Sequence, residues 1–533
     1  MNQKNKVLHE NIVLIVLYIF SHGIILLNDG LYWDDWALKL QGSKRIIDLY
    51  LQQGTVWAGY IHSFLFRFSN PFLLYRLIVL FAYGISVFLF DRILSKVTNI
   101  DKTSRFFLVA FFAFLPLNSA RITLICLPYA ICNLVFFCGS FFLVKYLEKP
   151  KLILRMLAIC MFFFSFFTQS LLVFYSIPFL LILYKNRSRI NTAKSFFFNL
   201  FRYIDFVFLP FFFWILKKTF WNPYGIYSGY LSFRTKTIIK SPLLLIETFN
   251  ASFFGVLDAS FLGFSSLILV ITVCVVYFLR SNPSFVLKDS VLQNKRELFF
   301  YLLFGIIAFF FGALAYNVLG IVPADVHFDS RHQLLLPIGA SFMLFYSCLS
   351  FSRFLNLPRK AIQFALWLLI VLFINQNLQY YIQYQKDWFK QVSIVENIKN
   401  SEIFEKNTTF LFRDEYKALN INERAYFVYE FTGWMKEAFS DETRFGVDEN
   451  NYSSTTDIEY YIKKYGSSYL LSDYVMAPPD YLVIIQKGTY DVDSIWSFFH
   501  LNYLKLFDRV SFMERVSRIV KLNYQKIESG DWE

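Results

Sequence analysis

The sequence predicts a polytopic α-helical membrane protein with about eleven transmembrane helices and a small C-terminal α/β soluble domain. Three observations predict it. Of the 533 residues 56% are hydrophobic and 21% aromatic, more apolar surface than a water-soluble fold hides. Apolar runs of membrane-crossing length recur at short intervals as far as residue 381. Lys and Arg collect in alternate loops between those runs, the pattern that orients membrane proteins with positive charge inside.

The runs lie near residues 10–27, 72–90, 106–118, 122–144, 154–170, 171–184, 196–216, 260–279, 298–316, 333–351 and 362–381, with 243–258 a further ambiguous segment. The first follows Lys4 and Lys6, and no small-residue cleavage site comes after it, so it reads as a retained span and not a removed signal peptide. Basic clusters fall at 92–105, 145–155, 185–194, 280–296 and 353–360, which puts those loops in the cytoplasm. The amino terminus is then cytoplasmic, and segments 28–71, 217–242 and 317–332 face outward with the C-terminal end of the chain. Topology accounts for the net charge of +13, so the expected partner is a lipid bilayer and no nucleic acid. All six Cys fall inside apolar runs without a close-spaced pair, which argues against a disulfide framework or a zinc knuckle.

The first outer loop opens with Asn28-Asp29-Gly30-Leu31-Tyr32-Trp33-Asp34-Asp35-Trp36. Tryptophan favours the membrane interface, so Trp33 and Trp36 hold Asp34 and Asp35 at that depth. Adjacent carboxylates repel, and partial desolvation raises the affinity of at least one for a proton or a cation. That suits a general base or a metal ligand. The plainer alternative is that the pair caps an interfacial helix beginning near Ala37. Downstream, Ile46, Ile47, Leu49, Tyr50, Trp57, Tyr60, Ile61 and Phe64 have helical spacing without the length to span, which predicts helices lying along the membrane.

A short first span followed by an outer loop with an acidic pair and membrane-parallel helices resembles the C-type (GT-C) glycosyltransferase superfamily, and Tyr32-Trp33-Asp34-Asp35-Trp36 carries the match. The resemblance implies an inverting hexosyl- or pentosyltransferase in a bacterial inner or plasma membrane, using a polyprenyl-phosphate-linked sugar at the non-cytoplasmic face. The acceptor would be a glycan or glycolipid of the cell envelope. It also implies that Asp34 is the general base, with Asp35 in support. Whether a divalent metal takes part is left open; Asp35, His327 and Asp329 are the residue types that would ligate one.

The loop before the tenth run reads Pro323-Ala324-Asp325-Val326-His327-Phe328-Asp329-Ser330-Arg331-His332 and holds two of the six His. An Arg at the outer end of a span runs against the charge rule, so it needs a local partner. A phosphate fits: the planar guanidinium matches its oxygens and offsets charge on a leaving group. Arg331 is therefore expected at the donor phosphate with His332 and His327 beside it; an ion pair to Asp325 or Asp329 is the alternative. Arg121 and Trp36 are expected on the same cavity, with snorkelling to lipid phosphate as the other role of Arg121. Lys217 and Lys218, in the second outer segment, are read as partners of anionic headgroups, with attraction of an anionic lipid carrier as the alternative.

Residues 1–381 are thus expected to form the membrane-embedded catalytic domain and 382–533 a non-cytoplasmic accessory domain. In the latter, 408–412, 481–486 and 518–524 read as strands and 426–439 and 494–507 as helices. No phosphate-binding loop or nucleophile elbow is found there. Two other functions fit a chain of this kind. One is a glycan polymerase or ligase with a lipid-diphosphate donor, and the other is a transporter or flippase of lipid-linked glycans.

Overall fold

Apolar segments free of strong breakers wind into helices because backbone polar groups must be satisfied within the segment once water is absent. The computed structural model describes residues 3–39, 41–187, 192–229, 235–262, 287, 294–323, 328–466 and 473–527. Among them five helices are long and apolar enough to cross a membrane: Pro71–Val97, Leu124–Glu148, Lys236–Ser260, Lys295–Asn317 and Arg359–Lys399. The pair Lys194–Arg202 and Ile204–Phe220, bent by 62°, makes a sixth if it is one span. The architecture fits a helical membrane protein, with five or six such helices among the described residues, which does not confirm the expected eleven.

The difference lies in how the shorter runs fold. Run 106–118 becomes Lys102–Phe114, started by Asp101, whose side chain accepts the N–H groups of Thr103 and Ser104, and ended ahead of Pro116. Its 13 residues reach only about 20 Å at 1.5 Å per residue. Run 154–170 becomes the 14-residue helix Leu152–Ser165, and run 171–184 falls in two short helices, Gln169–Phe174 and Ser176–Lys185. Run 260–279 lies almost wholly outside the described residues. The ambiguous segment 243–258 belongs to the helix Lys236–Ser260.

Close packing and an apolar exterior organise the helical part. Lys295–Asn317 packs on Leu336–Phe354 through small residues: a Cβ on Gly339 would fall on the Phe309 backbone, and one on Gly305 would crowd Met343. Large side chains on two other helices, Phe81 and Phe88 on Pro71–Val97 and Phe211 and Phe212 on Ile204–Phe220, are exposed, as a surface facing lipid tails would be. The segments expected to lie along the membrane form the helices Ser43–Gln52 and Val56–Leu65, ten residues each and too short to span.

The 41-residue helix Arg359–Lys399 runs without a break through residue 381 and measures about 60 Å. Its second half belongs to the C-terminal core, where Trp388 and Phe389 pack on Phe512. That core is built on a four-stranded sheet of β1 (Thr409–Asp414), β2 (Phe445–Asp448), β3 (Tyr481–Lys487) and β4 (Val520–Lys526), in the order β2-β1-β3-β4. β1 pairs in parallel with β2 and β3, while β3 and β4 are antiparallel. Three of these strands match the expected ones within two residues; β2 was not foreseen. The helices Val428–Phe439 and Ile495–Phe507 fall where expected.

Candidate functional site

The Trp33–Ala37 segment is a single tight turn of helix, and its entry decides which carboxylate faces where. Trp33 has a φ of 48°, a left-handed conformation that costs a bulky residue about 1–3 kcal/mol and persists only where the surroundings enforce it. Three contacts do so. The Trp33 N–H donates to Glu430 at 3.2 Å, its ring stacks on Phe328 at 5.2 Å, and the Arg424 guanidinium lies over it at 4.5 Å. Phe328 in turn carries the Arg331 guanidinium at 3.7 Å from its ring centre. Arg424, Trp33, Phe328 and Arg331 thus form one continuous stack, two rings between two cations, that joins three distant segments of the chain.

This entry separates the two acids. Asp35 points inward, fully buried: one oxygen accepts the Ile125 N–H at 2.9 Å and the other the Tyr32 N–H at 3.2 Å. Burial pushes its carboxyl up to about 7, against those amide bonds and the nearby Arg76 charge. Asp34, half-buried, faces a cavity of about 450 Å³. Burial raises its carboxyl above the usual range, while the Arg331 charge and a hydrogen bond from the Tyr429 hydroxyl act to lower it.

Arg331 and His332 line the same cavity, so residues about 300 positions apart in sequence meet there. The turn that carries them is pinned by Ser330, whose hydroxyl accepts the Ala120 N–H at 2.8 Å and meets Ser119 at 3.1 Å. Arg331 donates to the Phe328 carbonyl at 2.9 Å and to Asp329 at 3.2 Å. The expected ion-pair partner is therefore present, on a carboxylate 61% exposed whose grip water weakens. Burial, aided by Arg331, lowers the His332 imidazole to about 3, so the ring is neutral at physiological pH.

Other expected site residues stand elsewhere. Asp35 faces away from the cavity, as described. Arg121 folds back on its own turn, donating to the carbonyls of Leu117 and Asn118 at 2.8 and 3.0 Å over the Tyr83 ring, and does not line the cavity. Trp36 donates through its indole N–H to Gln391 at 3.1 Å and packs against Gly433, a structural anchor behind the site. His327 lies outside the described residues. Among the described residues no three His, Cys, Asp or Glu stand together as a metal site would need.

The cavity also gathers residues that sequence reasoning did not place there. Tyr429 comes from the C-terminal helix Val428–Phe439, nearly 400 residues from its partner Asp34, and no local motif marks it. Tyr316, Trp57 and Gln169 line the wall from three other helices. Lys217 lines it too, buried, while its neighbour Lys218 lies over the Trp214 ring. Two adjacent lysines at the end of an apolar run look alike in sequence, and only helix phase parts them.

Chemically, the cavity offers one carboxylate with raised proton affinity against a wall of nitrogen donors, in surroundings that are mostly apolar. Such a site can take a proton from a neutral hydroxyl and stabilise negative charge a short distance away. Compared with known proteins, the chain matches no family model and no curated relative.

Proposed function

We propose that the chain is a membrane glycosyltransferase that moves a sugar from a polyprenyl-phosphate donor to a glycan or glycolipid acceptor of the cell envelope, at the non-cytoplasmic face of a plasma membrane. The observation that carries this reading is the convergence of Asp34 and Arg331 on one cavity. The acceptor hydroxyl gives its proton to the Asp34 carboxylate as its oxygen bonds to the anomeric carbon, opposite the phosphate. The bond from that carbon to the phosphate oxygen breaks, its electron pair stays on the phosphate, and Arg331 offsets the charge. Configuration at the anomeric carbon inverts.

A second cavity, of about 320 Å³, supports a lipid-linked substrate. Its lining is almost wholly apolar and includes Phe136, Phe174, Phe304 and Phe342. It lies further along helices that also border the first cavity: Phe304 and Tyr316 share one helix, twelve residues apart, which is about 18 Å. An isoprenoid chain is long and apolar enough to reach from one to the other.

The test is sugar transfer in proteoliposomes from a panel of radiolabelled polyprenyl-phosphate sugars. Asp34→Asn is expected to lower turnover by about 10²–10⁴-fold, the usual worth of a positioned base, while donor binding persists. Turnover equal to wild type in that variant would sink the proposal. A glycan polymerase or ligase with a lipid-diphosphate donor is the second reading, favoured by one observation: Lys217 puts a second cationic side chain on the same cavity wall.

A further inference from the structure

Three hydrogen-bonding atoms on the wall of the main cavity are buried with no hydrogen-bond partner among the described residues: Nζ of Lys217, Nε1 of Trp57 and Nδ1 of His332. Lys217 is 8% exposed and His332 6%, so both are more than nine-tenths buried. The Asp329 carboxylate stands 3.7 Å from His332 Nδ1, past hydrogen-bond reach. Some buried cations elsewhere do find acceptors, Lys390 meeting Asp414 at 2.7 Å and Arg424 meeting Glu430 at 2.6 Å, whereas Nζ of Lys102 is also left without one. What sets Lys217 apart is that its orphaned group lines the cavity together with two others.

An ammonium has three N–H bonds and no lone pair, an indole nitrogen only donates, and imidazole Nδ1 donates in one of its two neutral tautomers. With His332 in that tautomer, what all three lack is an acceptor. An uncompensated ammonium is strongly disfavoured in an apolar surround, so the acceptor that suits Lys217 carries negative charge. Several oxygens on one centre would serve donors arriving from three directions, as a phosphate does.

We infer that Lys217, Trp57 and His332 form an anion subsite for a phosphate group carried by a lipid, separate from the phosphate position assigned to Arg331. The inference rests on the proposed function for the lipid and on the orphaned donors for the anion. Two sources supply such a group. One is the second phosphate of a lipid diphosphate, and the other is the phosphate of a lipid-linked acceptor bound beside a monophosphate donor.

The experiment titrates the full chain, in phosphatidylcholine nanodiscs, with farnesyl phosphate and with farnesyl diphosphate by calorimetry. Lys217→Met is expected to weaken the phosphate bound at this subsite by at least about tenfold, the worth of a charge-assisted hydrogen bond, while Lys217→Arg stays within about threefold. One diphosphate per chain, weakened in Lys217→Met, identifies the first source. Two monophosphates per chain in wild type and one in Lys217→Met identify the second. Trp57→Phe keeps the ring and removes only the N–H; it weakens the same ligand about threefold or more and serves where Lys217→Met does not fold. Binding of both probes to Lys217→Met and Trp57→Phe within about twofold of wild type overturns the inference, as does failure of wild type to bind either probe. Sugar transfer plays no part in these titrations, so failure of the proposed reaction and failure of the subsite are told apart.

Discussion

Replacing Arg424 with Met removes the charge that ties the C-terminal core to the Asp34 loop while keeping much of the side chain's bulk. The guanidinium donates to Glu430 at 2.6 and 2.7 Å, stands 3.4 Å from Asp387 and covers the Trp33 ring. Glu430 is fully buried, so the substitution strands a carboxylate away from water. Breaking a buried pair by removing one partner costs about 3–5 kcal/mol, and the lost cation–ring contact adds about 0.5–2 kcal/mol. The sum is a large share of the roughly 5–15 kcal/mol that holds a folded domain together.

The expected result is a marked fall in the thermal unfolding midpoint of the detergent-solubilised chain. The sign of its pH dependence follows from Glu430. Burial already pushes that carboxyl above the usual range even with Arg424 beside it, and removing Arg424 pushes it higher. A carboxyl raised in the folded state contributes its stability in full below the unfolded pKa, about 4.3, and loses it as pH rises through the folded value. The penalty of Arg424→Met therefore shrinks on acidification, and a second substitution, Glu430→Gln, restores part of the midpoint at neutral pH. An unchanged midpoint, or a penalty that stays constant between about pH 5 and pH 8, refutes the reasoning.

Tyr429→Phe removes the hydroxyl that stabilises the Asp34 anion, so the Asp34 carboxyl moves further up. A base must be deprotonated to act, so the acid limb of the pH–rate profile of sugar transfer moves to higher pH; a profile that does not move argues against Tyr429 as a positioning residue. The wild-type acid limb, for the same reason, lies above the range of an ordinary aspartate, and Asp35→Asn leaves that limb in place because Asp35 does not face the cavity.

The helical character of the chain was legible because apolar runs leave helix as the way to satisfy the backbone. The number of full-length spans was not. Run length does not reveal that Asp101 and Pro116 bracket a 13-residue helix, or that the helix ending at Ser165 is interrupted before the next begins at Gln169. The long helix was equally hidden. Its polar half, from Asn375 onward, has the composition of a soluble helix and gives no sign that it continues a span. In the C-terminal core, β1, β3 and β4 carry readable apolar alternation or runs, whereas β2 is four residues, Phe-Gly-Val-Asp, and exists through its pairing with β1.

At the site, the residue types announced chemistry without direction. Asp34 and Asp35 are indistinguishable in sequence; the left-handed turn at Trp33 sends one to the cavity and the other to backbone amides. Arg331 was legible because the charge pattern predicts it at the outer end of a span, where a positive charge is out of place. Arg121 satisfied the same criterion, yet its own turn supplies two carbonyls and absorbs it. Tyr429 and Trp57 carry no local signal, since only tertiary folding sets them opposite Asp34 and Arg331.

Single cysteines at positions 34 and 331, probed with a membrane-impermeant thiol reagent on intact cells, test most directly the proposal that the shared cavity faces outward. Modification of both from outside, with farnesyl diphosphate protecting both, is the predicted result. Modification of either only after the cytoplasmic side is opened, or protection of one without the other, would contradict it.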